Sequence, residues 1–260
     1  MGTRMRAAGM VAAMMAAGPA TAATVGFYSD DGFAYAGAQT ATATAGHGFV
    51  ALTDLTAGSL AGINVLWLAN GDNSSQLAQL VANLTGVSDF VSGGGVLVYN
   101  DRQVDSAETV LPGIGSTDLI RDFSDDANIE VVNAGTSLTN GPGGIIDDLT
   151  LDGGSSSSHG MTLLGDLPAG ARAILSRGAA NEIVDFTYAH GQGFVHYSTI
   201  PLDYYLAGNG SQPAFAAVYA PNLVDYAAGL TAPVPLPATL PLALGALAGM
   251  APLLRRRRSR

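Results

Sequence analysis

Cysteine is absent from the 260 residues, and so is lysine. Without cysteine the fold holds no disulfide, and neither a thiolate nucleophile nor a cysteine-ligated zinc site is open to it. The absence does not argue against export, because a chain of this length buries a full core without covalent staples. Positive charge is nearly as scarce in the body of the sequence. Of the eleven basic side chains, all arginine, Arg4 and Arg6 stand near the front and Arg255, Arg256, Arg257, Arg258 and Arg260 at the back. That leaves Arg102, Arg121, Arg172 and Arg177 against 21 acids, a formal net charge of −17 for the body. A surface that acidic repels nucleic acid and anionic lipid, so neither is an expected partner of the body.

Motifs of covalent and metal chemistry are missing as well. No G-x-S-x-G elbow occurs; Gly58-Ser59-Leu60-Ala61-Gly62 is one residue out of register. His47, His159, His190 and His196 are scattered, without HxH or HExxH spacing. His159 follows Ser155, Ser156, Ser157 and Ser158. A triad needs rigid geometry and an orienting acid, whereas a Ser-rich stretch after Gly153-Gly154 reads as a solvated loop.

What is present is clearest at the ends. Arg4 and Arg6, an apolar Ala/Met stretch to Ala17, a Gly18-Pro19 break and Ala20-Thr21-Ala22 have the order of a secretory signal, with cleavage expected after Ala22. At the other end, Val234, Pro235, Leu236, Pro237 and Ala238 open an uncharged stretch reaching Leu254, followed by the cluster Arg255, Arg256, Arg257 and Arg258. That stretch is about the 20 residues a membrane span needs, and the arginines would keep its C-terminus in the cytoplasm. Motif, span and arginine cluster together resemble the VPLPA variant of PEP-CTERM sorting signals, which occur in Gram-negative bacteria that make extracellular polysaccharide. The resemblance covers the tail alone. It implies processing by signal peptidase and an exosortase, a transient membrane anchorage, and a destination at the cell surface or in the matrix. The plainer alternative is a C-terminal anchor helix. The expected division is therefore a signal over 1–22, an exported domain over 23–232 and a sorting tail over 233–260.

The body alternates strand-like and helix-like stretches. Thr24 to Tyr28 reads as a strand ending in a turn at Ser29-Asp30-Asp31-Gly32. Gly62 to Ala69 is a nearly continuous apolar run, which suits a strand buried on both faces. Leu77, Leu80, Val81 and Leu84 follow at helical spacing, the helix continues toward Val91, and Gly93-Gly94-Gly95 breaks it before the strand Val96 to Tyr99. Strand, helix, glycine break and strand make a βαβ unit, so the sheet is expected to be parallel there. Ile129–Val132 and Ala171–Leu175 read as further strands, Glu182–Tyr188 and Gly193–Ser198 as a hairpin, and Pro213–Leu230 as a closing helix that Pro221 kinks or splits. Between them, residues 136–160 turn rich in Gly, Ser and Asp. A loop that long is expected to be functional or mobile.

The run INVLWLA, the segment FVSGGGVLVYND and the hairpin GQGFVHYST before a last helix resemble class I glutamine amidotransferase-like domains. The resemblance implies an α/β fold: a mostly parallel flavodoxin-like sheet, helices on both faces and an antiparallel C-terminal hairpin. Catalytic members use a cysteine that this chain lacks, so amidotransfer by that route is excluded. In open α/β sheets, ligands bind beyond the carboxyl ends of the strands, which here directs attention to Asn70, Asp72, Asn100 and Asp101. Two acidic clusters, Asp122, Asp125 and Asp126, and Asp147, Asp148 and Asp152, supply hard oxygen ligands of the kind calcium takes. Neither matches an EF-hand, so acidic loops without metal or other cofactor are the plainer reading.

The expectation is an exported, non-catalytic surface or matrix protein associated with exopolysaccharide. Replacing Asp72 or Asp101 should then leave location and stability largely intact. The alternatives are a matrix hydrolase using carboxylates at the strand ends, or a calcium- or sugar-binding adhesin with Tyr204, Tyr205 and Tyr219 as its aromatic platform.

Overall fold

The computed structural model describes residues 22–124, 127–154 and 156–231. Ala20, Asp125, Asp126, Ser155, the motif Val234–Ala238 and the cluster Arg255–Arg258 lie outside them. Among the described residues no helix is long and apolar enough to cross a membrane, and the stretch read as a span is not among those residues.

The strands are β1 (Thr24–Ser29), β2 (Gly48–Ala51), β3 (Val65–Asn70), β4 (Val96–Asp101), β5 (Ile120–Arg121), β6 (Glu130–Val131), β7 (Asn140–Gly141), β8 (Gly144–Ile145), β9 (Gly160–Leu163), β10 (Arg172–Ser176), β11 (Glu182–His190) and β12 (Gly193–Ser198). The helices are α1 (Ala34–Thr44), α2 (Ala57–Leu60), α3 (Ala78–Ala82), α4 (Leu84–Ser92), α5 (Leu202–Leu206) and α6 (Ala220–Leu230). Ten strands form one sheet in the order β2-β1-β3-β4-β12-β11-β10-β6, with β9 against β11 and β5 against β9. The first five in that order pair parallel. From β12 onward the pairing is antiparallel. The fold is thus mixed α/β, with the expected parallel unit over β3 and β4 and the expected hairpin over β11 and β12.

The apolar run of β3 behaves as a strand buried on both faces. Val65, Trp67 and Ala69 join one core with α1, α5 and α6. Leu66 and Leu68 join another with α2, α3 and α4. Each fully buried side chain of this size contributes roughly 1.5–3 kcal/mol of transfer free energy, so the alternation of one short strand anchors two layers.

Two features were not legible in the pattern. Helix α1 buries only Ala34, Ala38, Ala41 and Thr42. Small residues are required because α5 lies close: a Cβ on Gly37 would stand 2.3 Å from the Leu206 carbonyl oxygen. Strand β2 is a short, mostly exposed edge. The closing helix follows the expectation in an altered form. A π turn over Phe215–Tyr219 precedes α6, and Pro221 enters at its first turn. Proline has no N–H to return to the preceding turn, and the widened turn accommodates that loss.

The Gly/Ser/Asp-rich stretch is exposed in part, over residues 147–149 for example, but is pinned elsewhere. Asn222 on α6 donates to the carbonyls of Leu138 at 3.0 Å and Gly144 at 2.9 Å, and its oxygen accepts from Gly143 N at 2.7 Å. A Cβ on Gly143 would stand 2.5 Å from the Val218 carbonyl oxygen. The glycines let this segment lie flat on α6 rather than making it flexible.

Candidate functional site

The predicted ligand end of the sheet exists, but most of its polar groups are already partnered; Asn100 Nδ2 is buried without an acceptor. The carboxylate of Asp101 accepts from Asn70 Nδ2 and Gln103 N at 2.9 Å on one oxygen. On the other it accepts from Val104 N at 3.0 Å, Gln76 Nε2 at 3.1 Å and the Tyr197 hydroxyl at 3.2 Å. Burial pushes its pKa up, against the pull of those donors. Asn100 accepts from Trp67 Nε1 at 2.9 Å. Asp72 caps its own turn through Ser74 N, Ser74 Oγ and Ser75 Oγ, which lower its pKa to about 2. The expectation that Asp101 could be replaced without loss of stability is therefore corrected: it is fully buried and holds five donors.

The turn that Asp101 holds has a purpose. Val104 and Ser106 lie in the left-handed region, with φ of 60° and 65°. A β-branched residue there is strained by about 1–2 kcal/mol. The Val104 N bond to Asp101 sustains it, and the turn carries Arg102 past the end of β4. Arg102 lines a cleft of about 490 Å³ with Asn73, Arg121, Phe123, Ser156, His159, Pro201 and Tyr204. The volume falls within the roughly 300–1,000 Å³ of small-ligand sites, and among the described residues no carboxylate lines it.

Each charged or basic wall residue is positioned from behind. Arg102 Nη1 donates to Asp203 Oδ2 at 3.1 Å and to the Gly71 carbonyl at 3.2 Å, and its guanidinium lies over the Tyr204 ring at 5.6 Å. Asp203 is fully buried; burial raises its pKa to about 6 against the opposing pull of Arg102. Arg121 Nη1 donates to Gln103 Oε1 at 2.9 Å and to the Asn73 carbonyl, and its guanidinium lies over Phe123 at 5.3 Å. Arg177 is buried nearby and spent on Asp122, whose carboxylate it meets at 3.0 Å.

His159 is the largest departure from the sequence reading. Its ring is packed, not solvated, and Ser157 and Ser158 are buried beside it. Its backbone N donates to the Thr199 carbonyl at 2.9 Å. The next residue, Gly160, pairs with Arg121 across β5 and β9; a Cβ there would stand 2.3 Å from the Ile120 carbonyl oxygen. That close approach brings His159 and Arg121 to one wall. His159 Nδ1 lies 2.8 Å from the Arg102 carbonyl. A carbonyl only accepts, so Nδ1 carries the proton. Burial lowers the ring's pKa to about 4. At neutral pH the imidazole is therefore uncharged, with the Nε2 lone pair left for the cleft.

The other predicted residues are not brought here. Asp147 caps a turn through Leu149 N and Thr150 Oγ1, Asp148 accepts from Val131 N, and Asp152 from Ile129 N. Among the described residues no group of three or more acidic or histidine side chains converges as a metal site. Of the three tyrosines, only Tyr204 reaches the cleft. Tyr205 stacks on Phe215 at 4.2 Å between ring centroids, and Tyr219 is buried against Asp185 at 2.6 Å. Sequence reasoning missed Arg102 and Arg121 as site residues. The available signal was their rarity, two of four arginines in an acidic body, one of them directly after a strand end.

No family model matches the chain, and no curated protein matches it. Among solved structures it is similar to a cytoplasmic protein of Salmonella typhimurium, at a TM-score of 0.55 and 12% identity, covering 81% of this chain and 100% of the other. A second cytoplasmic protein, from Salmonella typhimurium LT2, is similar at a TM-score of 0.54 and 12% identity, covering 80% of this chain and 100% of the other. At such identity the likeness is one of fold alone.

Proposed function

We propose that this chain is an exported, exosortase-sorted protein of the cell surface or extracellular matrix, whose body is a non-catalytic binding domain associated with exopolysaccharide. The single observation that carries the binding half is the cleft beside β4: two guanidinium groups and a neutral imidazole around about 490 Å³, with no carboxylate among the described residues that line it. Such a set recognises a ligand but offers no carboxylate pair for general acid–base hydrolysis. The order β2-β1-β3-β4-β12 is that of flavodoxin-like doubly wound sheets, which supports an amidotransferase-like body that lacks the nucleophile. The export half is supported by the signal-like first 22 residues and by the VPLPA motif, span and arginine cluster.

Intact mass of the protein from its own host, in membrane and extracellular fractions, tests the export half. A mass lacking both the first ~22 residues and everything beyond the VPLPA region is the expected result. A mass that retains the span and the arginines would overturn sorting by an exosortase and leave an anchored protein.

A further inference from the structure

We propose that the cleft binds a uronate-bearing saccharide, with Arg121 and Arg102 as donors to the sugar carboxylate and His159 as acceptor for a sugar hydroxyl. The inference rests on reading the cleft as the binding face of the domain, and it adds the chemical class of what is bound.

The charge argument comes first. The body carries four arginines against 21 acids, yet two of the four share one cleft that no carboxylate of the described residues lines. Asp203 behind the wall balances Arg102 at 3.1 Å, so the uncompensated positive charge at the cleft is that of Arg121, and a positive group in an acidic surface selects an anion. Both guanidinium groups keep unused capacity. Among the described residues Arg121 meets no carboxylate, and its Nη2 makes only a marginal 3.5 Å approach to Asn73 Oδ1. Arg102 donates through Nη1 to Asp203 and to the Gly71 carbonyl, and its Nε is buried out of a ligand's reach, so Arg121 is the main donor and Arg102 supports it. A planar guanidinium suits the two oxygens of a carboxylate.

The imidazole adds a hydrogen-bond acceptor to the two cations. With Nδ1 committed to the Arg102 carbonyl, Nε2 presents a lone pair, which takes a hydrogen bond from a sugar hydroxyl. The amide of Asn73 and the hydroxyl of Ser156 on the same walls complete a set that matches one carboxylate amid several hydroxyls. Phe123, 46% exposed, and Tyr204 supply flat apolar walls for the C–H face of a pyranose ring.

The test is calorimetric titration of the full-length chain in mild detergent. The probes are trisaccharides of glucuronate, galacturonate and mannuronate, the methyl ester of whichever binds, and inorganic phosphate. At least one uronate should bind, its methyl ester should bind at least tenfold more weakly, and phosphate should not compete at equal concentration. Arg121→Gln should weaken the uronate at least tenfold while the melting temperature stays near that of the parent. Phe123→Ala, on an exposed ring, is the second variant and should weaken it several-fold. Binding of none of the three uronates, an ester that binds as tightly as the acid, or phosphate binding tighter than every uronate would each overturn the inference. None of these outcomes bears on the processed mass, so failure of the ligand class and failure of the export reading are told apart.

Discussion

Two neighbouring regions share the carboxyl edge of the parallel strands and use polar side chains in opposite ways. At the tips of β3 and β4, Asp101 is met by five donors and Asn70 donates to Asp101 and to the Ser75 carbonyl. One residue further on, Arg102, Arg121 and His159 keep donors and a lone pair that the protein does not use. The first region is a structural knot and the second a candidate site. Position at a strand end does not distinguish them, since both lie where α/β sheets bind ligands. What distinguishes them is how far polar capacity has been consumed: Asp101 is saturated and has nothing left to offer a ligand, and Asn100 Nδ2, which has no acceptor, is buried out of a ligand's reach.

Breaking the knot should produce the largest effect. Asp101→Ala strips the acceptor from five donors and frees the strained Val104 turn. A loss on the order of 4 kcal/mol or more is expected in chemical denaturation, since each orphaned buried donor costs about 1–3 kcal/mol. A loss below about 1 kcal/mol would mean that Asp101 is not the keystone of the edge.

Gly160→Ala tests the joint between the regions. The new methyl meets the Ile120 carbonyl and should part β5 from β9, costing about 1–3 kcal/mol. It should also weaken any ligand of the cleft, because Arg121 and His159 lose their common wall. Ligand binding that survives unchanged would show that the two residues do not act together.

The pH dependence sharpens the comparison within the site. His159 has its pKa lowered to about 4 by burial, so the stability it contributes is present above about 6.5 and lost as pH falls toward 4. Asp203 has its pKa raised to about 6, chiefly by burial. Its contribution has the opposite sign, complete below about 3.9 and lost as pH rises through 6. The two oppose each other, with Asp101, whose pKa burial also raises, on the side of Asp203, so the slope of stability between pH 4 and 6.5 should be smaller than the carboxylates alone would give. His159→Asn removes one side of that balance, and denaturation midpoints of this variant should rise on acidification across the same window, by an amount on the order of 2 kcal/mol. A variant whose profile matches that of the parent would separate His159 from this window. Below pH 4 the turn carboxylates of Asp54, Asp72 and Asp122, each held to about 2 by hydrogen bonds chiefly from neighbouring Ser and Thr groups, lose their contribution.

The smallest effects should come from half-buried groups at the solvent edge. Arg121→Gln should change stability by less than about 1 kcal/mol, in contrast to its effect on ligand. Asp72→Ala, which opens only a solvent-facing turn, should move the melting temperature least of all. A large drop in either would place that residue with the knot rather than with the surface.

By itself the sequence determined what depends on short-range pattern. The apolar run of β3, the glycine stop after α4 and the β11–β12 hairpin were readable because burial on two faces, a helix end and a tight turn each leave a local signature. The lack of cysteine likewise closed off thiol chemistry before any coordinates were considered. Helix α1 was not readable, since alanines at helical spacing give little hydrophobic contrast and the reason for them is the Leu206 backbone, far along the chain. The same holds for the Gly/Ser/Asp-rich stretch, whose polarity suggested solvent until α6 and Asn222 were seen to hold it. Only the tertiary structure decided the site. Its walls come from Asn73, Arg102, the Arg121–Phe123 segment, the Ser156–His159 segment and the Pro201–Tyr204 segment, and no periodicity links them. Whether a polar side chain is spent or free depends on which partners folding brings within about 3 Å, and that is a property of the packed molecule rather than of any stretch of its sequence.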